Sequence, residues 1–109
     1  MISDDAFIQK ITVILISVIP DEDMNLNEKI TILWVDDEID LLKPHIMFLE
    51  DKGYAIVTAN NGVTAIELIE KQHFDLVFLD ENMPGLSGLE TLIKLKDKRS
   101  NLSVIMITK

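Results

Sequence analysis

The chain has 109 residues, of which 48% are apolar and 27% are charged, a composition that predicts one folded domain rather than a disordered segment. Its 19 acidic and 10 basic residues give a formal charge of -9, which disfavours nucleic acid as a partner because a phosphate backbone would be repelled. The sequence has no cysteine, which excludes disulfides and thiolate metal sites and is compatible with a reducing cytoplasm.

Residues 1–28 are predicted to be an N-terminal extension that ends in an acidic linker over residues 21–28. The apolar run ITVILISVIP is shorter than the roughly 20 residues that a membrane-spanning helix needs. The acidic start MISDDAF is unlike a secretory signal. We therefore expect no membrane association, and a strand or short buried helix over residues 11–19. Met24 precedes the main pattern directly, so translation is expected to start there.

From Lys29 onward, apolar stretches alternate between the periods of strands and helices. Four strands are predicted: KITILWV (29–35), YAIVTA (54–59), DLVFLD (75–80) and SVIMIT (103–108). Helical patterns occupy the three intervals, at 38–53, 61–72 and 87–99. Strands separated by helices indicate an α/β fold with a parallel sheet and right-handed crossovers.

Each predicted helix carries an apolar face. In the first, the face consists of Ile39, Leu42, Ile46 and Leu49, with Gly53 as the stop and Pro44 as a possible kink. In the second, the residues predicted to face inward are Val63, Ile66 and Ile69. The third is capped by Ser87 and runs through Leu89, Leu92, Ile93 and Leu95.

Polar side chains stand at the ends of three predicted strands. Asp36 and Asp37 follow the first strand, Asp80 ends the third, and Thr108 ends the fourth. Because the carboxyl ends of parallel strands meet at one edge of the sheet, these side chains are expected to converge there. Carboxylates about 4 Å apart would repel by roughly 4 kcal/mol per pair at an effective dielectric of 20, so the cluster calls for a cation. Oxygen ligands without sulfur favour Mg²⁺, and an ion held in this way commonly also binds a phosphate group.

Residues 29–109 resemble a response-regulator receiver domain of the CheY-like type. The motifs that carry the resemblance are VDDE (35–38), DENMPGLSG (80–88) and MIT (106–108). The resemblance implies a flavodoxin-like, doubly wound sheet in the order 2-1-3-4-5 and a role in a two-component phosphorelay. It also implies that a sensor histidine kinase phosphorylates Asp80, and that Thr108 hydrogen-bonds the phosphoryl group and moves inward. The ligands of Mg²⁺ would be Asp36, Asp37, Asp80 and the backbone carbonyl of Asn82.

Two longer stretches, ILWVDDEIDLLKPHIMFLE and FDLVFLDENMPGLSGLETL, are similar to PorX-type regulators, in which a receiver precedes a PglZ-type output domain. Against that pattern we expect a receiver truncated after its fourth strand, without the fifth strand, its lysine or the output domain. Lys109 is not expected to replace that lysine. An uncovered fourth strand predicts weak self-association through the sheet edge, unless residues 11–19 pair with it.

Three other interpretations compete with a working phosphoacceptor. A haloacid-dehalogenase-type phosphatase would carry a second acid two residues after Asp80, where this chain has Asn82. A nucleotide-binding fold would show a glycine-rich loop after the first strand, and VDDEIDLL has no glycine. The third interpretation, a truncated receiver remnant that no longer signals or only binds partners weakly, stays open. For single residues, Asp36 and Asp37 could instead cap the first helix, and the two histidines, His45 and His73, are expected to be structural or solvated.

Overall fold

The four predicted strands form one parallel sheet in the order β2-β1-β3-β4. They are β1 (Thr31–Val35), β2 (Ala55–Ala59), β3 (Leu76–Asp80) and β4 (Val104–Ile107). The computed structural model describes residues 29–108, so the predictions for residues 1–28 lie outside the described residues. Within residues 29–108, no helix is long and apolar enough to cross a bilayer. The observed order is that of a CheY-like, flavodoxin-like sheet, as predicted.

Three α-helices lie between consecutive strands: α1 (Lys43–Asp51), α2 (Gly62–Lys71) and α3 (Gly88–Lys98). The first predicted helix is divided, because a 3-10 helix over Ile39–Leu42 precedes α1. Pro44 lies in the first turn of α1. Proline has no N–H to donate to the preceding turn and its ring fits the first turn of a helix, which explains why the α-helix begins here. Gly53 takes a left-handed conformation, with φ of 102°, and ends the segment as predicted.

The two central strands form the core of the sheet. Residues 32–35 of β1 and residues 76–79 of β3 have no exposed surface. Trp34 and Phe78 are partners in the register of the two strands, and their rings meet edge to face with centroids 5.3 Å apart. The uninterrupted apolar sequences of β1 and β3 are typical of strands that are covered on both faces. The outer strands, β2 and β4, are only partly buried.

The face that α2 buries differs from the prediction at one position. Ile69 is fully buried and Ile66 partly buried, but Val63 is 55% exposed, so its predicted inward position is wrong. Gly62 and Ala65 are buried in its place. A Cβ at position 62 would collide with the Oγ1 of Thr91 in α3, so α2 approaches α3 through its glycine. This close contact turns Val63 toward solvent.

A capping box begins α3, as the predicted role of Ser87 requires. The Oγ of Ser87 accepts a hydrogen bond from the backbone N–H of Glu90 at 3.1 Å, and a carboxylate oxygen of Glu90 accepts one from the N–H of Ser87 at 3.2 Å. Of the apolar residues along this helix, Leu95 is buried, Leu92 is partly buried, and Leu89 and Ile93 are exposed. Near the end of α3, an ion pair of 2.9 Å with Glu70 of α2 raises the pKa of Lys98.

Gly88 allows α3 to begin against the end of β3. Its N–H donates a hydrogen bond to the carbonyl of Glu81 at 3.2 Å. A Cβ at this position would overlap the carbonyl oxygen of Asp80 and would lie 2.8 Å from the Cα of Glu81. Both obstacles are backbone atoms, which cannot move without displacing the strand end. The geometry at Asp80 therefore depends on the absence of a side chain at position 88.

We predict that Gly88→Ala lowers the free energy of unfolding by about 2 kcal/mol, because the added methyl group overpacks a rigid contact. The control is Leu89→Ala, which changes an exposed side chain at the next position of the same helix and should alter stability by about 0.5 kcal/mol or less. Urea titrations followed by circular dichroism give both values. Equal losses in the two variants would contradict the close-contact explanation.

Candidate functional site

Three carboxylates converge at the carboxyl ends of β1 and β3. The two strands are neighbours, and their register pairs Val35 with Leu79, so the residues that follow each partner lie side by side. One carboxylate oxygen from each of Asp36, Asp37 and Asp80 lies within 4.8 Å of the other two. Asp36 and Asp80 are buried, whereas Asp37 is exposed. The predicted convergence of the three acids is therefore present in the structure.

Hydrogen bonds from nearby backbone N–H groups orient the two buried carboxylates. The Oδ1 of Asp36 accepts from the backbone N–H of Glu38 at 2.8 Å, and the Oδ1 of Asp80 accepts from the N–H of Asn82 at 3.1 Å. Each bond closes a turn in which the carboxylate of an aspartate accepts a hydrogen bond from the backbone N–H two residues later. The capping interpretation is wrong, because Glu38 is the N-cap of the 3-10 helix and no side chain caps that helix. Asp36 instead organises the turn before it. This local role is compatible with membership of the acidic cluster.

The charge and donor atoms of the cluster suit a hard cation. At a separation of 4.8 Å, two carboxylates repel by roughly 3 kcal/mol at an effective dielectric of 20. Burial adds a desolvation cost for Asp36 and Asp80, since a buried charge needs a partner or a metal. All the donors are oxygens, the ligand type that Mg²⁺ prefers, and the exposed side at Asp37 leaves room for the waters that this ion keeps. The donor set fits Mg²⁺.

Thr108 lies at the same edge of the sheet, one residue beyond β4. The register pairs Asp80 with Ile107, which places Thr108 next to Glu81. The hydroxyl of Thr108 donates a hydrogen bond to the Oε2 of Glu81 at 3.1 Å. Glu81 was not among the predicted site residues, although its position directly after Asp80 was a sufficient signal that it would lie at this edge.

The other residues considered in the sequence are Asn82 and the two histidines. Asn82 is exposed and stands in the loop after β3, and the role of its carbonyl as a metal ligand remains a prediction. His45 is buried in α1, and His73 is exposed, with its Nε2 hydrogen-bonded to the Oδ1 of Asp75 at 3.0 Å. Among residues 29–108, the group of acids and histidines close enough to share a metal contains neither histidine.

Comparisons with known proteins agree with this geometry. A model of the response regulator receiver domain family matches residues 32–109. The chain is 42% identical over 77 residues to the transcriptional regulatory protein CpxR homolog of Haemophilus influenzae, a match that covers 71% of this chain and 33% of that protein. It is 38% identical over 81 residues to the probable transcriptional regulatory protein TcrX of Mycobacterium tuberculosis, covering 74% of this chain and 35% of that protein. The chain thus spans about a third of the length of these two relatives.

Solved structures also show similarity to response regulators. The response regulator TrrA of Thermotoga maritima, in complex with Mg²⁺-BeF, superposes with a TM-score of 0.67 and 38% identity, covering 72% of this chain and 69% of that chain. TrrA in complex with the histidine kinase ThkA superposes with the same TM-score and covers 72% of this chain and 68% of that one. The sheet order, the acidic cluster and these matches show that the chain belongs to the family of response regulator receiver domains of two-component signalling systems.

Proposed function

We propose that this receiver accepts a phosphoryl group on Asp80 from a sensor histidine kinase, in the cytoplasm and with Mg²⁺. The observation that carries the proposal is the placement of Asp80, buried at the end of β3 with two further carboxylates within 4.8 Å. The similarity to TrrA, whose structures contain Mg²⁺-BeF in one case and a histidine kinase in the other, supports the choice of ion and donor. Residues 29–109 would form part of the receiver domain, after an N-terminal extension over residues 1–28.

Asp36, Asp37, Asp80 and the backbone carbonyl of Asn82 would hold Mg²⁺, with Asp36 partly through water. The bound ion would neutralise the negative charge that accumulates on the carboxylates and the phosphoryl oxygens. The protein supplies the alignment of these ligands. Two of the carboxylates are already fixed by hydrogen bonds from the N–H groups of Glu38 and Asn82. Preorganised ligands of this kind need little rearrangement when the ion and the donor arrive.

Asp80 would act as the nucleophile. One carboxylate oxygen attacks the phosphorus of the kinase phosphohistidine, a P–O bond forms, and the P–N bond to the imidazole breaks. The product is an aspartyl phosphate. The N–H of Asn82 holds Oδ1 at 3.1 Å and so limits rotation of the carboxylate during the attack. Phosphoryl transfer of this type needs mainly positioning and charge neutralisation, which is what the end of β3 offers.

Thr108 would donate its hydroxyl hydrogen to a phosphoryl oxygen. It follows β4, whose Ile107 is the register partner of Asp80, so Thr108 lies at the same edge of the sheet as the proposed phosphoacceptor. Movement of Thr108 on phosphorylation would alter the protein surface at the end of β4. The chain would act as a signalling module that transfers the phosphoryl group to itself, and not as an enzyme with a separate substrate.

Within the family, we propose a PorX-type regulator with a PglZ-type output domain. The support comes from the two stretches ILWVDDEIDLLKPHIMFLE and FDLVFLDENMPGLSGLETL, which surround the acidic cluster. Sequencing the DNA that follows codon 109 tests this assignment. A region coding for a PglZ-type domain, whether in frame or beyond an interruption, would support the assignment, and a region coding for a DNA-binding output domain would contradict it.

Charge repulsion in the cluster leads to a prediction about stability. Without divalent ions, Asp80→Asn should raise the free energy of unfolding by about 1 kcal/mol or more, because one of three crowded charges is removed. Mg²⁺ at 100 times its dissociation constant should stabilise the wild-type protein by about 2.7 kcal/mol and should stabilise the variant much less. The control, Glu67→Gln, removes the same charge on α2, outside the cluster, and should leave the Mg²⁺ effect intact. Urea unfolding with and without Mg²⁺ measures these changes, and equal Mg²⁺ effects in all three proteins would argue against the metal site.

Labelling tests the phosphoacceptor directly. With acetyl phosphate and Mg²⁺, intact-protein mass spectrometry should detect one phosphoryl group on the wild-type chain and none on Asp80→Asn. Asp36→Asn and Asp37→Asn should lower the initial rate by roughly tenfold or more, since each weakens a ligand of the Mg²⁺ that would neutralise the transition-state charge. Glu67→Gln should be labelled at the wild-type rate. Labelling that survives Asp80→Asn would refute the site assignment.

A further inference from the structure

We propose that Glu81 is a positioning residue that restrains Thr108 in the unphosphorylated protein. Its carboxylate would compete with the phosphoryl group on Asp80 for the hydroxyl hydrogen of Thr108. Glu81 therefore sets how readily the domain switches. The inference rests on the proposed function, because it is the phosphoryl group that Thr108 must reach.

The backbone brings the two side chains together. The N–H of Glu81 donates to the carbonyl of Ile107 at 3.1 Å, which continues the pairing of β3 with β4 one residue beyond Asp80. Glu81 and Thr108 are thus neighbours just past the two strand ends. Their side chains meet in a hydrogen bond of 3.1 Å that spans 27 positions of sequence. The bond joins the residue after the proposed phosphoacceptor to the residue proposed to respond to it.

The hydroxyl of Thr108 can donate to Glu81 or to a phosphoryl oxygen, but not to both at once. Thr108 has one hydroxyl hydrogen, and donation to Glu81 uses it. A phosphoryl oxygen can receive that hydrogen only after the bond to Glu81 breaks. Because an ionised carboxylate is a strong acceptor, the competition has a measurable cost. Switching would therefore be easier in a protein that lacks the Glu81 carboxylate.

Glu81 also adds a negative charge beside Asp80. This charge would oppose an incoming phosphoryl group whether or not Thr108 is present. The two effects differ in one respect: competition for the hydrogen needs the Thr108 hydroxyl, whereas charge repulsion does not. A double-mutant cycle between positions 81 and 108 separates them. Glu81 is exposed, so its substitution leaves the core untouched.

The experiment measures binding of beryllofluoride with Mg²⁺ to the full chain. Trp34, the single tryptophan, is buried two residues before Asp36 and serves as the fluorescent reporter. Glu81→Ala should lower the dissociation constant of beryllofluoride about fivefold, the usual scale for loss of one competing hydrogen bond. Glu81→Gln, which keeps an acceptor oxygen without the charge, should give a smaller gain. Thr108→Val should weaken binding.

The decisive variant is the double substitution. In the Thr108→Val background, Glu81→Ala should bring a gain clearly smaller than fivefold, limited to the effect of removing the charge, since the hydroxyl that Glu81 restrains is absent. A fivefold gain that persists in this background would overturn the proposal, as would an unchanged dissociation constant in Glu81→Ala alone. Glu67→Ala, which removes an exposed carboxylate from α2, is the control and should bind like the wild-type protein.

A second measurement needs no phosphoryl analogue. The methyl resonance of Thr108, followed by carbon-13 NMR without Mg²⁺ or beryllofluoride, should shift in Glu81→Ala and stay in place in Glu67→Ala. An unchanged resonance in Glu81→Ala overturns the restraint even if beryllofluoride does not bind. Failure of the proposed function has a different result: wild-type protein that does not respond to beryllofluoride, or a response that Asp80→Asn retains.

Discussion

The parallel pairing of β1 with β3 is the constraint on which the site depends. The two strands have no exposed residues between positions 32 and 35 or between 76 and 79, so their register is held by the core of the protein. Asp36 directly follows β1 and Asp80 ends β3, and each side chain accepts a hydrogen bond from the backbone N–H two residues later. Burial of apolar side chains therefore keeps Asp36 and Asp80 close although their charges repel.

The loop after β3 keeps this arrangement accessible to a ligand. Met83 is buried and anchors the loop, while Gly88 lets α3 begin against the carbonyl of Asp80. Asp37 and Asn82, in contrast, face solvent at the edge of the sheet. A buried carboxylate with an open side suits a receiver domain, whose proposed reaction needs a fixed nucleophile and access for the donor. The hydrogen bond between Glu81 and Thr108 joins this edge to β4.

Much of this architecture follows from local rules. Continuous apolar runs predict the two central strands because a strand covered on both faces has no polar side to alternate with. Ser87 predicts the start of α3 and Gly53 the stop of the first helical segment, since each acts through its own backbone surroundings. The split of the first helix is also local, because Pro44 has no N–H to donate and is best tolerated in the first turn of a helix. The three aspartates could also be assigned to strand ends before any contact was known, because each lies at the end of a continuous apolar run.

The sequence by itself thus determined the order of strands and helices, their approximate ends and the edge of the sheet where the acids meet. Tertiary structure decided the rest. Val63 and Ala65 both fit an apolar helical face, and the contact of Gly62 with Thr91 of α3 selected Ala65. The partner of Thr108 was likewise settled by the pairing of β3 with β4, which brings Glu81 beside it. Such choices depend on residues far apart in the chain, whose distances no local pattern specifies until the sheet and helices have packed.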